Sequence, residues 1–347
     1  LKKKMQYKVI TDIREFKLLE PEWNLLFDRN TYSVFQSFVF NYYSWKEILT
    51  HSSSNSLFII KIIQHNIAVG FFPLYNDKTN TLRFINDVHS DFCDLVLDKE
   101  IDLKKLFQFI LNDCKHKKLQ LINLKENSIL TQFNAHQTQY NFSFSVSENY
   151  SDLEINKGIF PSNCNKLLSK QKTEIRRIIK KNSNYKHEIL SKIYCDFPIN
   201  EILILKEKMI KNSSRNNAFL PLSQLTLIEK LYDNQYIEIS LIKDNDVKAI
   251  SFVLKNKNES MFWIDLYDDI QMVNLYNYIS YISLKSADNK VCINFGRGAY
   301  SYKISNFAPE IRKLYTLYIF SSKSLKISYI IKNYFIGMIR LLYRKFK

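Results

Sequence analysis

The chain reads as a mixed α/β protein, two sheet-and-helix halves in tandem closed by a basic amphipathic helix. Strand-like and helix-like apolar periods alternate along it. The order of elements starts again near residue 156. After Glu310 no acidic residue remains. With 347 residues, 46% hydrophobic and 14% aromatic, it can fill two cores, and the composition speaks against global disorder. The expected divisions are 1–155, 156–321 and a tail at 322–347.

In the first half, residues 7–10 read as a strand. Thr11 or Asp12 can cap the next helix, whose apolar side carries Trp23, Leu26 and Phe27. Residues 35–49 read as a second, aromatic-rich helix. Residues 57–63 and 67–74 are strands joined by Gln64-His65-Asn66, a hairpin. Strands at 81–85 and 92–97, a helix at 101–114 and a strand at 119–124 follow. In the second half, Pro161 suits the first turn of a helix running to Lys181. A strand at 185–194 and helices at 199–211 and 222–232 come next, then a meander at 236–242, 247–255 and 260–266. A helix at 272–286 and strands at 291–295 and 312–320 complete it. The shared order of hairpin, strand, helix and strand points to a structural duplication.

Net charge is +16, which admits nucleic acid, anionic lipid or phosphorylated small molecules as partners. The charge is local. From Lys166 to Lys181 there are seven basic residues and one acid, Glu174. Lys166, Lys170, Arg177 and Lys181 make a stripe there, beside apolar Leu168, Ile175 and Ile179. It is either a solvated face or a dock for phosphates or an anionic membrane. The tail combines Leu325, Ile327, Ile330, Ile331, Tyr334, Phe335, Met338, Ile339 and Leu342 with Lys323, Lys326, Lys332, Arg340, Arg344, Lys345 and Lys347. It has no apolar run approaching the roughly 20 residues of a spanning helix. It suits either the headgroup region of an anionic bilayer or packing on the protein's own core.

Five widely spaced cysteines with no Cys-x-x-Cys pair suit reduced thiols and speak against a zinc ribbon. The six histidines have no metal-ligand spacing, so no metal is expected. No apolar run follows the basic opening residues, so the expected location is cytoplasmic, with peripheral attachment to the inner face of a membrane as a variant. Neither a Gly-x-Ser-x-Gly elbow nor a phosphate-binding Walker loop is present. Two of only five glycines sit in Asn294-Phe295-Gly296-Arg297-Gly298, just past an apolar strand. Glycine serves where the backbone needs positive φ or a close approach. Asp91 and Asp94 could orient a substrate amine or act as bases, or could simply bond the turn backbone.

Taken with Ala68-Val69-Gly70-Phe71-Phe72-Pro73-Leu74, Ser90-Asp91-Phe92-Cys93-Asp94, the basic helix, Val247-Lys248-Ala249-Ile250-Ser251 and Tyr267-Asp268, the stretch Asn294-Phe295-Gly296-Arg297-Gly298…Tyr302-Lys303 resembles a family signature. It is similar to the Asp-Phe-Gly-x-Gly…Tyr-Lys pattern of tandem-GNAT acyltransferases, the group that includes cellulose-biosynthesis acetyltransferase-like and Fem-type proteins. The chain departs in having Asn294 for the usual aspartate and no glycine opening the helix after Tyr267-Asp268. The resemblance implies two GNAT-like domains, the second catalytic, and an acyl-CoA donor such as acetyl-CoA. It implies an amino-sugar or lipid-linked acceptor of cell-surface polysaccharide biosynthesis. A Fem-type reading would replace the donor by aminoacyl-tRNA, and the two departures also allow a catalytically silent binding subunit.

In such folds two middle strands part and the donor lies in the gap. That places Asp265 and Tyr267 as base and acid candidates, with Tyr302 facing the same cleft. Gly296, Arg297, Gly298 and Lys303 would hold the donor, and Asp91, Asp94 and Arg177 the acceptor.

Overall fold

The computed structural model describes residues 5–30, 32–98, 100–133, 141–257, 259–268 and 271–345. The tail positions Arg340, Leu342, Arg344, Lys345 and Lys347 fall outside the residues whose side chains are described, as does His136.

The chain opens with β1 (Gln6–Ile10), α1 (Ile13–Leu18) and α2 (Glu20–Arg29). Asp12 is the cap, its carboxylate accepting from the amides of Arg14 and Glu15 at 2.7 and 3.2 Å. The predicted helix at 35–49 is shorter. A 3-10 turn (Val34–Gln36) comes first, then extended Ser37 accepts from the amide of Phe40 and starts α3 (Phe38–Glu47). β2 (Ser56–Gln64) and β3 (Ile67–Asn76) form the expected hairpin. His65 and Asn66 both take positive φ, 54° and 63°, the twist that a two-residue hairpin turn requires. β4 (Leu82–Phe84), β5 (Val96–Leu97), α4 (Leu103–Gln108) and β6 (Lys118–Lys125) follow. The strand expected at 92–97 shrinks to β5, because the residues before it form a pinned loop.

β7 (Asn141–Ile155) is a long strand absent from the sequence reading. α5 (Ser169–Lys181) starts eight residues later than expected. Leu168 is extended there, and its amide donates to the Gln171 side chain at 3.0 Å. β8 (Lys186–Leu190), α6 (Ile199–Lys211), α7 (Leu222–Asp233), β9 (Ile237–Lys243), β10 (Val247–Lys255) and β11 (Glu259–Tyr267) come next. The chain ends with α8 (Gln271–Asp288), β12 (Val291–Arg297), α9 (Ser301–Phe307), β13 (Glu310–Phe320) and α10 (Lys323–Lys345).

These elements make two compact units. One comprises Leu1–Arg29, Leu49–Ser147 and Leu314–Lys347; the other comprises Asn30–Ile48 and Glu148–Lys313. The first carries strands in the order β1-β2-β3-β4-β6-β13, with β5 beside β3. Its last strand therefore comes from the far end of the chain, Leu314 pairing with Lys125 and Phe320 with Lys118. Trp23 is fully buried and stacks on Phe71 at 4.7 Å between ring centres. Phe72, Phe84, Leu106, Phe107, Leu121 and Leu317 belong to its core. Burying each such side chain contributes roughly 1.5–3 kcal/mol.

The second unit runs β7-β12-β11-β10-β9-β8, antiparallel throughout except for the parallel β11–β12 neighbours. α8 packs its Val273, Tyr278, Ile279, Tyr281 and Ile282 into the core beneath the strands. α3 belongs to this unit and packs against α7. Its Phe40, together with Phe35 of the preceding turn, meets Trp263 of β11 edge-on.

Candidate active site

The ladder of the second unit breaks between β11 and β12, and the chemistry gathers there. These strands pair only at Glu259/Cys292, Ser260/Ile293 and Met261/Asn294. From Phe262 onward they no longer pair. Phe262 fills the point of divergence: it stacks on Tyr278 at 3.9 Å and lies 6.2 Å from Phe295, which stacks on Phe307 at 4.9 Å. A wedge of four aromatic rings thus sits where the strands part.

A β-bulge sets which side chains face this wedge. Phe252 of β10 pairs with Ile264, but Val253 pairs with Phe262, so Trp263 is the extra residue on β11. Simple alternation would put Phe262 and Asp265 on opposite faces. The bulge puts both against Tyr278.

Asp265 is partly buried. It accepts from Tyr278 Oη at 2.5 Å and from Ser251 Oγ at 2.7 Å. Burial pushes its pKa up. The hydrogen bonds from Tyr278 and Ser251, the charge of Lys303 and the amide of Asn274 pull the other way. Tyr278 is itself held well above 10 by burial and the Asp265 charge, and it is hydrogen-bonded to Tyr302. Burial and Asp265 raise Tyr302 likewise. Asp265, Tyr278 and Tyr302 therefore form a continuous hydroxyl–carboxylate chain. Tyr267, at the end of β11, lies close enough to Tyr302 to raise its pKa further.

Behind Asp265 a second chain runs across the sheet. Ser251 Oγ accepts from Asn277 Nδ2 at 3.1 Å. Asn277 Oδ1 accepts from Ser240 Oγ at 2.7 Å, and Ser240 Oγ meets His187 Nε2 at 2.8 Å. The Ser240 proton is spent on Asn277, so His187 must donate through Nε2–H. One donor from each side chain runs toward the Asp265 carboxylate, and Asn277 Nδ2 also donates back to the Ser240 carbonyl at 3.0 Å. Burial lowers the His187 pKa from 6.5 to about 4, with Glu188 opposing the shift. Between those values the unfolded chain binds the extra proton and the native one does not. The His187 contribution to stability should therefore be complete above about pH 6.5 and fall as pH drops toward 4. Buried Asp94, raised to about 6, acts in the opposite sense over the same range, so the difference between wild type and a His187 variant isolates the His187 contribution. Urea midpoints across that range check this. His187→Gln should remove that contribution, and an unchanged pH slope in that variant would refute the assignment.

The glycine turn forms the end of β12. Gly296 has φ +73° and Gly298 φ +93°, conformations that L side chains rarely adopt. A Cβ on Gly298 would lie 2.6 Å from the Tyr300 ring. Asn294 is fully buried: its Oδ1 accepts from the Gly296 amide at 2.7 Å and its Nδ2 donates to Glu259 at 2.8 Å. An aspartate there could not make the second bond and would set two carboxylates together. Asn294→Asp is expected to cost about 2–4 kcal/mol at neutral pH, measured by chemical denaturation. Lys303 is 5% exposed and turns inward, donating to the Phe295 carbonyl, with its ammonium 4.9 Å from the Tyr300 ring centre. Arg297 is half-buried and pairs in register with Tyr150 of β7.

The structure thus gathers Asp265, Tyr267, Tyr302, Lys303, Gly296, Arg297 and Gly298 in the second unit. Arg177 lies elsewhere on that unit, exposed on α5 and paired with Glu174 at 2.6 and 2.8 Å. The apolar side of α5 is Ile175 and Ile178, both buried, whereas Leu168 precedes the helix and is exposed. Lys166 also precedes it, pairing with Glu310 at 3.0 Å.

Asp91 and Asp94 belong to the first unit, in the loop between β4 and β5. Asn123 pins this loop: its Nδ2 donates to the carbonyls of Asp87 and Ser90, and its own carbonyl accepts from the Cys93 amide. Asp94 accepts from Ser128 Oγ at 2.9 Å. Burial raises its pKa to about 6 against that bond, the Leu95 amide and the charge of Lys125.

Sequence reading missed Asn274, Asn277, Tyr278, Ser251, Ser240 and His187. Asn274, Asn277, Tyr278 and Tyr281 recur at helical spacing among the apolar residues of α8, and that polar stripe on a buried face was the available signal. Among the described residues, no three His, Cys, Asp or Glu side chains come together as a metal site.

No family model matches the sequence, and no curated protein matches it. Solved structures do. The C-terminal domain of a putative lysylphosphatidylglycerol synthetase from Agrobacterium fabrum is 10% identical, with a TM-score of 0.61 over 92% of this chain and 95% of that one. FemX is 9% identical, with a TM-score of 0.56 over 91% of this chain and 98% of that one. The mixed α/β fold is like that of the synthetase domain and of FemX. A Bacteroides thetaiotaomicron protein of unknown function is 12% identical, with a TM-score of 0.54 over 91% and 100% of the two chains. At these identities the likeness concerns the fold alone.

Proposed function

We propose that this chain is a transferase that moves an activated acyl or aminoacyl group onto an amine at the divergence of β11 and β12. The carrying observation is that divergence, with Asp265, Tyr278 and Tyr302 hydrogen-bonded beside it. In the proposed step the Asp265 carboxylate takes a proton from the acceptor amine and the nitrogen bonds to the acyl carbon. The C–S or C–O bond to the carrier then breaks, and the departing sulfur or oxygen takes the Tyr302 proton. Passage of the proton from Asp265 through Tyr278 returns Tyr302 to its starting state. A carboxyl group whose pKa is raised by burial, as here, is a better proton acceptor than a solvated one.

The donor we place first is acyl-CoA, with acetyl-CoA the simplest case, and the acceptor an amino sugar or lipid-linked precursor of a surface polysaccharide. The first turn of α8 follows β11 and offers backbone amides to a donor phosphate. Asn274 in that turn is buried, and its Oδ1 has no hydrogen-bond partner among the described residues. An N–H or O–H of the bound acyl carrier reaching it would satisfy it. The second reading, an aminoacyl ester carried on tRNA, is favoured by the +16 charge and by likeness in fold to FemX and the synthetase domain.

Thermal-shift titration decides between them. A ligand at about 100 times its Kd adds roughly 2.7 kcal/mol of stability and raises Tm. A shift with acetyl-CoA or CoA supports the first donor. A shift only with aminoacyl-tRNA moves the assignment to the second. No shift with any of the three overturns the transferase reading.

A further inference from the structure

Among the described residues of α10, one apolar side packs on β13 of the first unit and another faces solvent. On the inner side Tyr329 packs on Tyr318 and Phe320 of β13, at 4.6 and 5.4 Å between ring centres, and Lys118 lies 4.7 Å from its ring. That contact fixes the rotation of the helix. Ile327, Ile330, Ile331, Tyr334 and Met338 recur at three- and four-residue spacing along a different stripe. Four of these face solvent: Ile327 is 47% exposed, Ile330 and Ile331 50% each, and Tyr334 67%. Lys326 and Lys332, both exposed or partly so, lie outside this stripe. No acidic residue occurs anywhere on α10, and none after Glu310. No helix of the described chain is long and apolar enough to cross a membrane.

We propose that the outer stripe of α10 docks on the headgroup region of an anionic bilayer, with the helix lying along the surface. Charge selects this occupant. A second copy of the same helix would set lysines against lysines with no carboxylate to pair them. A nucleic acid would satisfy the lysines but leave the isoleucines in water. An anionic lipid surface accepts both, burying apolar side chains below the headgroups while the lysines meet lipid phosphates. The inner Tyr329 contact keeps the stripe turned outward, so docking needs no unfolding of the first unit. This inference rests on α10 alone and is independent of the transfer chemistry proposed above.

Co-sedimentation of the full chain with phosphatidylcholine vesicles, with and without phosphatidylglycerol, tests it. Binding should be stronger by about tenfold or more to the anionic vesicles and should weaken with salt, each lysine near the surface being worth about fivefold. The double variant Ile331→Asp/Tyr334→Asp should lose about tenfold or more in vesicle binding. Its melting temperature should be unchanged, because both side chains are exposed. Lys326→Glu/Lys332→Glu should lose the preference for anionic over neutral lipid. Equal binding to both vesicle types would overturn the proposal, as would full binding by the Asp variant. So would a wild-type dimer, seen by sedimentation velocity, that the Asp variant dissolves, or RNA binding that the Lys variant abolishes while vesicle binding persists.

Discussion

An Asp265→Asn variant is expected to lose about 10²–10⁴-fold in transfer rate, the usual contribution of a positioned proton acceptor. The substitution preserves shape. The carboxamide oxygen can still accept from Ser251 or Tyr278, whose hydroxyls rotate to suit, so the stability cost should stay near ~1 kcal/mol. Single-turnover transfer, using whichever donor raises the melting temperature, reads the effect. The acid limb of the pH–rate profile should vanish with the carboxylate. A variant with undiminished rate and an intact acid limb would make Asp265 a strut of the network and no more. Asn277→Ala separates the two cases further: it removes the donor behind Ser251 without touching the carboxylate. It should shift the acid limb upward while leaving a measurable rate.

Phe262→Ala should destabilise the protein by about 3–5 kcal/mol, the range for deleting a buried phenyl ring. Phe262 is 3% exposed, stacks face-on with Tyr278 and meets Tyr281 at 5.4 Å. The loss should also reach function. Phe262 is the first residue past the last β11–β12 pair, so its removal takes away the material that keeps the strands from closing. Urea denaturation measures the first effect. The second appears as a lost donor-induced rise in melting temperature, even where the variant is fully folded. Phe262→Leu keeps most of the volume and should cost about 1–2 kcal/mol with donor binding retained. If Phe262→Ala bound donor normally, the wedge would be packing alone.

Much of this frame was legible in the sequence. The β2–β3 hairpin showed as two apolar runs around His65-Asn66, and β9, β10, β11 and α8 lie close to where periodicity placed them. The glycine turn stood out because the chain is so poor in glycine. β7 was not legible for a physical reason. Its Phe142, Phe144 and Val146 alternate as a strand should, but Ser147 to Asp152 is mostly polar, and residues 144–148 face solvent. α9 was missed because Ser301 to Phe307 has one buried apolar anchor, Phe307, and takes its other buried contact from a lysine. Inside the site, Asp265 could be named from residue type, but its partners could not. The bulge at Trp263 leaves no mark in the sequence, and it alone decides that Asp265 faces Tyr278. The chain from His187 through Ser240 and Asn277 is assembled from β8, β9 and α8, ninety residues apart at its ends.

The strand Leu314–Phe320 completes the sheet of residues that precede it by some two hundred positions, while residues 30–48 are built into the other unit. A gene cut near residue 155 would therefore yield two products that each lack a piece lodged in the missing fragment. During synthesis, β6 gains its partner only after residues 314–320 have been made. Until then the nascent chain carries an open sheet border at β6, the kind of unpaired edge that invites aggregation.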